Sequence, residues 1–183
     1  VRVGASGLRE TTGLSDTDMA NQDLIGADLL LRDGESRELL LEYARSEGPG
    51  FGTRFSLNGG LDLEPSDPSY GLPGLHADSW RIAGRTDLAF AGLRGEIAGY
   101  YDRKDEGFSS PDHDIQHDQR AWGLSGHVAL TARTDLTFGG EALRRDDGRK
   151  EEKARIGFAH RINQAWGLEG EIARDHRDET GSP

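Results

Sequence analysis

Apolar and polar residues alternate along this chain with a period of two. In Trp122-Gly123-Leu124-Ser125-Gly126-His127-Val128-Ala129-Leu130, one parity carries Trp, Leu, Gly, Val and Leu and the other Gly, Ser, His and Ala. That pattern marks a strand whose two faces meet different surroundings. It recurs in Leu136, Phe138, Gly140 and Ala142 against Thr137, Gly139 and Glu141, and in Leu93, Gly95, Ile97, Gly99 and Tyr101 against Arg94, Glu96, Ala98 and Tyr100. Further copies are Trp166, Leu168, Gly170 and Ile172 against Gly167, Glu169, Glu171 and Ala173, and Ile156 and Phe158 against Arg155 and Gly157. Near the start, Ile25, Ala27, Leu29 and Leu31 oppose Gly26, Asp28 and Arg32, and Leu39, Leu41 and Tyr43 oppose Glu38 and Glu42, with Leu30 and Leu40 breaking the alternation. A short helix also fits Arg37 to Arg45, but its neighbours favour a strand.

Turn-forming residues at Asp33-Gly34-Glu35-Ser36, Ala91-Gly92, Ala132-Arg133-Thr134 and Asn163-Gln164 join these runs as hairpins. Longer polar loops fall at about 9–21, 47–79, 103–118 and 145–151, the second holding Pro49, Pro65, Pro68 and Pro73 and a candidate short strand at Arg54 to Leu63. The expectation is an all-β chain: one region over 1–183, an antiparallel up-and-down meander of about nine strands whose two ends differ. A weak echo pairs Leu93-x-Gly95-Glu96-Ile97-Ala98 with Leu168-x-Gly170-Glu171-Ile172-Ala173, as if the hairpins vary one unit.

Composition sharpens this picture. The 183 residues are 34% hydrophobic with 26 Gly, no Cys and a net charge of -11, a thin core for a soluble domain. No window approaches the ~18 apolar residues of a helical membrane span. The opening Val1-Arg2-Val3-Gly4-Ala5 lacks a charged and then apolar leader pattern, so any export signal is expected to have been removed or left out. Without Cys there is no disulfide framework or thiolate metal site, and the acid surplus argues against nucleic acid as a partner. Ten-residue alternating runs between turn residues are the signature of a transmembrane β-barrel, where low overall hydrophobicity is normal. Lipid is then expected to face Leu29, Leu31, Leu39, Leu41, Ile97, Leu124, Val128, Phe138, Phe158 and Ile172. Trp80, Trp122 and Trp166 begin alternating runs on the apolar parity, as interfacial girdle residues do. The lumen candidates are Arg94, Glu96, Glu141, Arg155, Glu169 and Glu171. A soluble acidic β-sandwich that binds a partner is the competing architecture.

Leu24-Ile25-Gly26-Ala27-Asp28, Leu41-Glu42-Tyr43-Ala44-Arg45-Ser46-Glu47-Gly48 and Gly99-Tyr100-Tyr101-Asp102-Arg103-Lys104-Asp105-Glu106-Gly107-Phe108-Ser109-Ser110 resemble the barrel regions of very large Gram-negative outer-membrane proteins. The resemblance covers the chain from about Asp23 onward. It implies an outer-membrane location, with outer-membrane lipid, the rest of a parent barrel and the barrel-insertion machinery as partners, and it implies no reaction. The ending Asp178-Glu179-Thr180-Gly181-Ser182-Pro183 lacks the terminal aromatic strand usual in such barrels, so a segment of a larger barrel is expected.

Candidate chemistry is sparse. Asp112, His113, Asp114, His117 and Asp118 form a weak metal-binding pattern, with two His four apart but Pro111 and Ser109-Ser110 placing them in a loop. Acidic groups at Asp62, Glu64 and Asp67, and at Asp175, Asp178 and Glu179, lack EF-hand spacing. Gly48-Pro49-Gly50-Phe51-Gly52 lacks the Lys-Ser/Thr of a phosphate cradle. Glu169 and Glu171 share one strand face, where like-charged neighbours usually line a wet surface rather than a hydrolase site. His127 is expected to face the lumen, and Arg144, Arg145, Arg149, Lys150 and Lys153 form a basic cluster among carboxylates. The chain is expected to be no enzyme and to need no cofactor. Its expected function is structural or porin-like passage of small solutes with a mild cation preference, the alternative being surface display or adhesion through the long loops.

Overall fold

The sequence pattern closes into a ladder of hydrogen bonds in a computed structural model that describes residues 1–13, 19–48, 54–55, 64–65, 76–90, 92–111 and 113–178. Its strands are β1 (Arg2–Gly13), β2 (Met19–Asp33), β3 (Arg37–Glu47), β4 (Arg54–Phe55), β5 (Glu64–Pro65), β6 (His76–Phe90), β7 (Leu93–Lys104), β8 (Ser109–Ser110), β9 (His113–Asp114), β10 (Gln119–Thr131), β11 (Thr134–Arg145), β12 (Lys150–Arg161) and β13 (Gly167–Asp178). Nine of them form one antiparallel sheet in the order β1-β2-β3-β6-β7-β10-β11-β12-β13, a meander, and the β4–β5 and β8–β9 pairs stand apart as two-residue ribbons. The sheet is not closed: β1 and β13 are its edges. The turns β2–β3, β6–β7, β10–β11 and β12–β13 lie at one end and the other connections at the opposite end. Gly34 and Gly92 make two of the tight turns at φ 68° and 84°, backbone that a β-carbon disfavours.

Register assigns every side chain to a face, because neighbours across the ladder point the same way. The outer parity joins Leu29, Leu41 and Ile82, then Tyr101, Trp122 and Ala142. On it also lie Leu31, Leu39, Ile97, Leu124, Phe138, Phe158 and Ile172. Many of these are exposed, from 36% at Leu39 to 76% at Ile172, whereas Val128, on the same face, is covered. The segment Arg37 to Arg45 is strand throughout, not helix. Leu30 and Leu40, the residues that break the alternation, face inward, Leu30 buried and Leu40 half-buried.

The abundant glycine follows from the same register. Phe138 stands directly opposite Gly126, Phe158 opposite Gly170 and Tyr100 opposite Gly123. Each ring lies over its glycine: a β-carbon on Gly126 would fall 2.5 Å from the Phe138 ring and 2.9 Å from the Glu96 carbonyl, and one on Gly170 would fall 2.9 Å from the Phe158 ring. One large and one absent side chain therefore fill the space of one cross-strand pair.

Element limits depart from the sequence reading where polar residues continue the ladder. The predicted loop 9–21 is largely strand, since β1 and β2 pair as far as Gly13 and Met19. Likewise the loops drawn at 47–79, 103–118 and 145–151 are shorter, because β6 begins at His76, β7 runs to Lys104 and β12 begins at Lys150. Of the strand drawn at Arg54 to Leu63, Arg54–Phe55 is strand, and the rest of it lies outside the described residues.

Gly126→Val should displace the Phe138 ring and destabilise the protein by about 1–3 kcal/mol, read as a lower urea midpoint at unchanged m-value. Gly167→Ala, whose new β-carbon would meet only the His160 carbonyl at 3.5 Å, should leave the midpoint within experimental scatter.

Candidate functional site

The inner parity is polar and concave. A cavity of about 750 Å³ is bordered by Glu38 and Leu40 of β3 at one side, by Glu171, Ala173 and Asp175 of β13 at the other, and by residues of each main strand between them. Strands so far apart in the order border one space only if the sheet curls toward its charged face. The six lumen candidates all lie on that face: Arg94 opposite Ala129, Glu96 opposite His127, Glu141 opposite Gly123, Arg155 opposite Gly139, Glu169 opposite Ala159 and Glu171 opposite Gly157. Glu141, Arg155 and Glu171 line the large cavity; Glu96 and His127 line an adjoining recess of about 410 Å³ together with Arg155 and Glu171. Glu169 borders a separate recess at the short-turn end, beside Trp166.

The lumen candidates left out the cavity residues Glu38 and Tyr100, which the alternation already sets on the polar parity, and sequence reasoning missed Arg81, Arg85, Lys153 and Asp175 as members of this face. The signal was present, because Arg81 and Arg85 fall on the parity opposite Trp80 and Ile82. Charge changes sign from strand to strand. Glu38 meets Arg32 at 2.7 Å and Arg85 at 3.7 Å, Arg81 meets Asp102 at 3.8 Å, and Glu141, Lys153 and Asp175 are successive register partners. Arg81 also lies over the Tyr100 ring, 5.1 Å from its centroid. Two carboxylates, Asp87 and Glu96, face each other directly. The face is thus mostly self-compensated, with a carboxylate excess at that pair and along β13.

On the convex side, aromatic residues form a row. Tyr43 is opposite Trp80, Trp80 packs on Tyr101 with ring centroids 5.1 Å apart, and Tyr101 is opposite Trp122. The Tyr43 hydroxyl donates to Asp78 at 2.8 Å, so each ring has an apolar body and a polar margin. Trp80 and Trp122 begin their apolar runs at the long-loop end. Trp166 sits just before β13 at the short-turn end, outside the strand in which sequence placed it, and is 71% exposed.

The proposed metal pattern disperses. Asp112 and the side chain of His113 lie outside the described residues. Asp114 accepts a hydrogen bond from the Ser109 hydroxyl, Asp118 accepts from the Glu106 N–H at 2.7 Å, and His117 faces Asp146 at 3.4 Å. Among the described residues, no group of three or more His, Cys, Asp or Glu is placed to hold a metal ion. The basic cluster is internally paired at the β11–β12 turn, with Arg145 and Asp147 at 3.2 Å and Arg144 and Glu152 at 3.9 Å. Asp175 belongs to the inner face and Asp178 ends β13; Asp62, Asp67, Glu179 and most of Gly48 to Gly52 lie outside the described residues. No family model, curated protein or solved structure matches this chain.

Asp147 is held below the usual carboxylate range, chiefly by the Arg149 N–H, which donates to it at 3.0 Å, with partial desolvation opposing and the charges of Arg145, His117 and Arg149 helping. A depressed carboxylate stabilises the turn above its unfolded value, and that contribution is lost as pH falls through the folded one. Hydrogen exchange should show the Arg149 amide protected at neutral pH and losing protection on acidification. Asp147→Ala should abolish the protection at both.

Proposed function

We propose that this chain is a segment of an outer-membrane β-barrel of a Gram-negative cell envelope, with a structural or porin-like role in passing small polar solutes. The observation that carries this reading is how the edge of the apolar band crosses the register. At the long-loop end the outer face turns from apolar to charged between Gly7 and Arg9, Ile25 and Asp23, Tyr43 and Arg45, Trp80 and Asp78, Tyr101 and Arg103, Trp122 and Arg120, Ala142 and Arg144, Ala154 and Glu152, and Ile172 and Arg174. Read along hydrogen-bonded partners, that edge slips whenever an apolar residue meets a charged one: Ile25 with Arg45, Trp80 with Arg103, Ala142 with Glu152 and Ala154 with Arg174.

Every slip is two residues and all run the same way. Across the nine strands they average one residue per strand. With about 3.3 Å per residue and about 4.8 Å between strands, a boundary of constant height then requires a strand tilt of about 35°, at the lower edge of the range for membrane barrels. A flat lipid boundary accounts for a slip of this size and constant direction. From Trp122 to Leu130 the outer band of β10 runs about 27 Å, or about 22 Å along the membrane normal at that tilt, close to the ~25 Å apolar belt of such barrels. A soluble sandwich would instead cover its apolar face with a second layer and leave its charged face convex; here the convex face is the apolar one.

Meander order leaves β1 and β13 running in the same direction, so they cannot pair antiparallel. A second copy turned about the barrel axis would bring the same parallel edges together. An odd number of further strands from a parent barrel completes the wall, with outer-membrane lipid around it and the insertion machinery to place it. The mostly compensated inner face, with its residual carboxylates at Asp87, Glu96, Glu169 and Glu171, supports a mild cation preference.

In single-Trp variants of the full-length protein in brominated-lipid vesicles, Trp80 and Trp122 should be quenched at one shallow depth and Trp166 near the opposite surface. Equal, negligible quenching of all three sinks the membrane reading. In a planar bilayer the full-length protein should conduct ions with weak cation selectivity; an absence of conductance, or strong anion selectivity, sinks the porin-like role.

A further inference from the structure

Part of the β7–β10 connection turns inward at the long-loop mouth. Ser46 of β3, on the inner parity, is 1% exposed and its neighbours on that face, Ala77 and Gln22, are 4% and 1% exposed. Three buried residues together are unusual on a face that is otherwise largely wet and charged, and they need a cover. Its described source is the β8–β9 ribbon: the Ser109 N–H donates to Ser46 Oγ at 3.0 Å, and Phe108 is 5% exposed. The ribbon is braced, with Gly107 N–H donating to the Ile115 carbonyl at 2.8 Å and Ile115 N–H to the Phe108 carbonyl at 2.9 Å.

The other end of the same connection only extends the β10–β11 ladder, since Asp118 and Asp146 are the next pair after Gln119 and Arg145. Asp146 N–H donates to the Asp118 carbonyl at 3.1 Å, and His117 lies 3.4 Å from Asp146. The connection leaves β7 and returns to β10, which are neighbours, yet its ribbon reaches β3, beyond β6. A ribbon that donates to an inward-facing hydroxyl two strands from its own base leans over the inner face instead of standing away from the rim.

We propose that Asp105–Ser110 and Asp114–Asp118 form a strap turned inward at the long-loop mouth that limits, by size, which solutes reach the concave cavity. A small anchor holds its tip, the Ser109 N–H on the Ser46 hydroxyl next to the buried Phe108 in the chain, so the strap is separable from the wall that carries it. This deepens the porin-like reading and rests on it only for the passage itself.

The test uses full-length protein in vesicles with Ala83→Cys as a thiol in the cavity wall, a residue that lines it, in a segment that has no other cysteine. Thiol reagents of two sizes are added from the long-loop side. Phe108→Ser should speed labelling by the bulky reagent about tenfold or more, the population shift expected when one buried phenyl ring is lost, and leave the small reagent's rate unchanged. Locking the strap through a Ser46→Cys, Ser109→Cys disulfide should block the bulky reagent until reductant is added, which keeps the test decisive if Phe108→Ser fails to fold. Equal bulky labelling in the locked, native and Phe108→Ser proteins overturns the strap. Size-selective labelling without conductance in any form defeats the passage reading and leaves the strap standing.

Discussion

Each long strand of this protein has its two faces fixed by an antiparallel register that shifts, among the described residues, only between Ala129 and Thr131 at the end of β10, and everything else about the molecule depends on that ladder. A slip of one residue in any strand would carry its outward apolar residues inward and its inward polar residues outward. Cross-strand pairs resist such a slip on both faces: aromatic rings seat over facing glycines, and Glu38 is shared between Arg32 and Arg85. Exposed ion pairs contribute only about 0–1 kcal/mol each. Their value here lies in register, because a displaced strand would set like charges against one another.

The inner face was legible where parity alone decides it. Arg94, Glu96, Glu141, Arg155, Glu169 and Glu171 could be assigned from the sequence because each stands between apolar residues that point the other way. β1 was not legible. Val3, Ala5 and Gly7 on its outer parity and Gly4 and Ser6 on its inner parity are too alike in size and polarity to give a period, and only pairing with β2 makes the segment a strand. Strand ends were misplaced for a related reason: hydrogen bonding continues through Arg9, Thr11 and Asn21 irrespective of hydrophobicity.

Other features have no local signature. The burial of Ser46 depends on Ser109, 63 residues away along the chain, so no window of sequence contains both partners. The dispersal of the described acidic and histidine side chains at 114–118 is of the same kind. Spacing suggested a shared ligand sphere, whereas the fold sends Asp114 to Ser109, Asp118 to Glu106 and His117 to Asp146. Short polar segments in connections are governed by whichever rim they happen to reach.

The sequence echo acquires a physical meaning in the folded wall. Gly95-Glu96-Ile97 and Gly170-Glu171-Ile172 sit on strands far apart in the sheet, yet each sends its isoleucine outward and its glutamate inward, and both glutamates border one recess. Because the extensive contacts of each long strand are with its neighbours in order, a hairpin is a nearly self-sufficient tile. Copying one tile preserves every face assignment downstream and changes the width of the sheet by two strands at a time. Such a wall can grow by duplication without being redesigned, and the repeated glutamate is the trace that this kind of growth would leave.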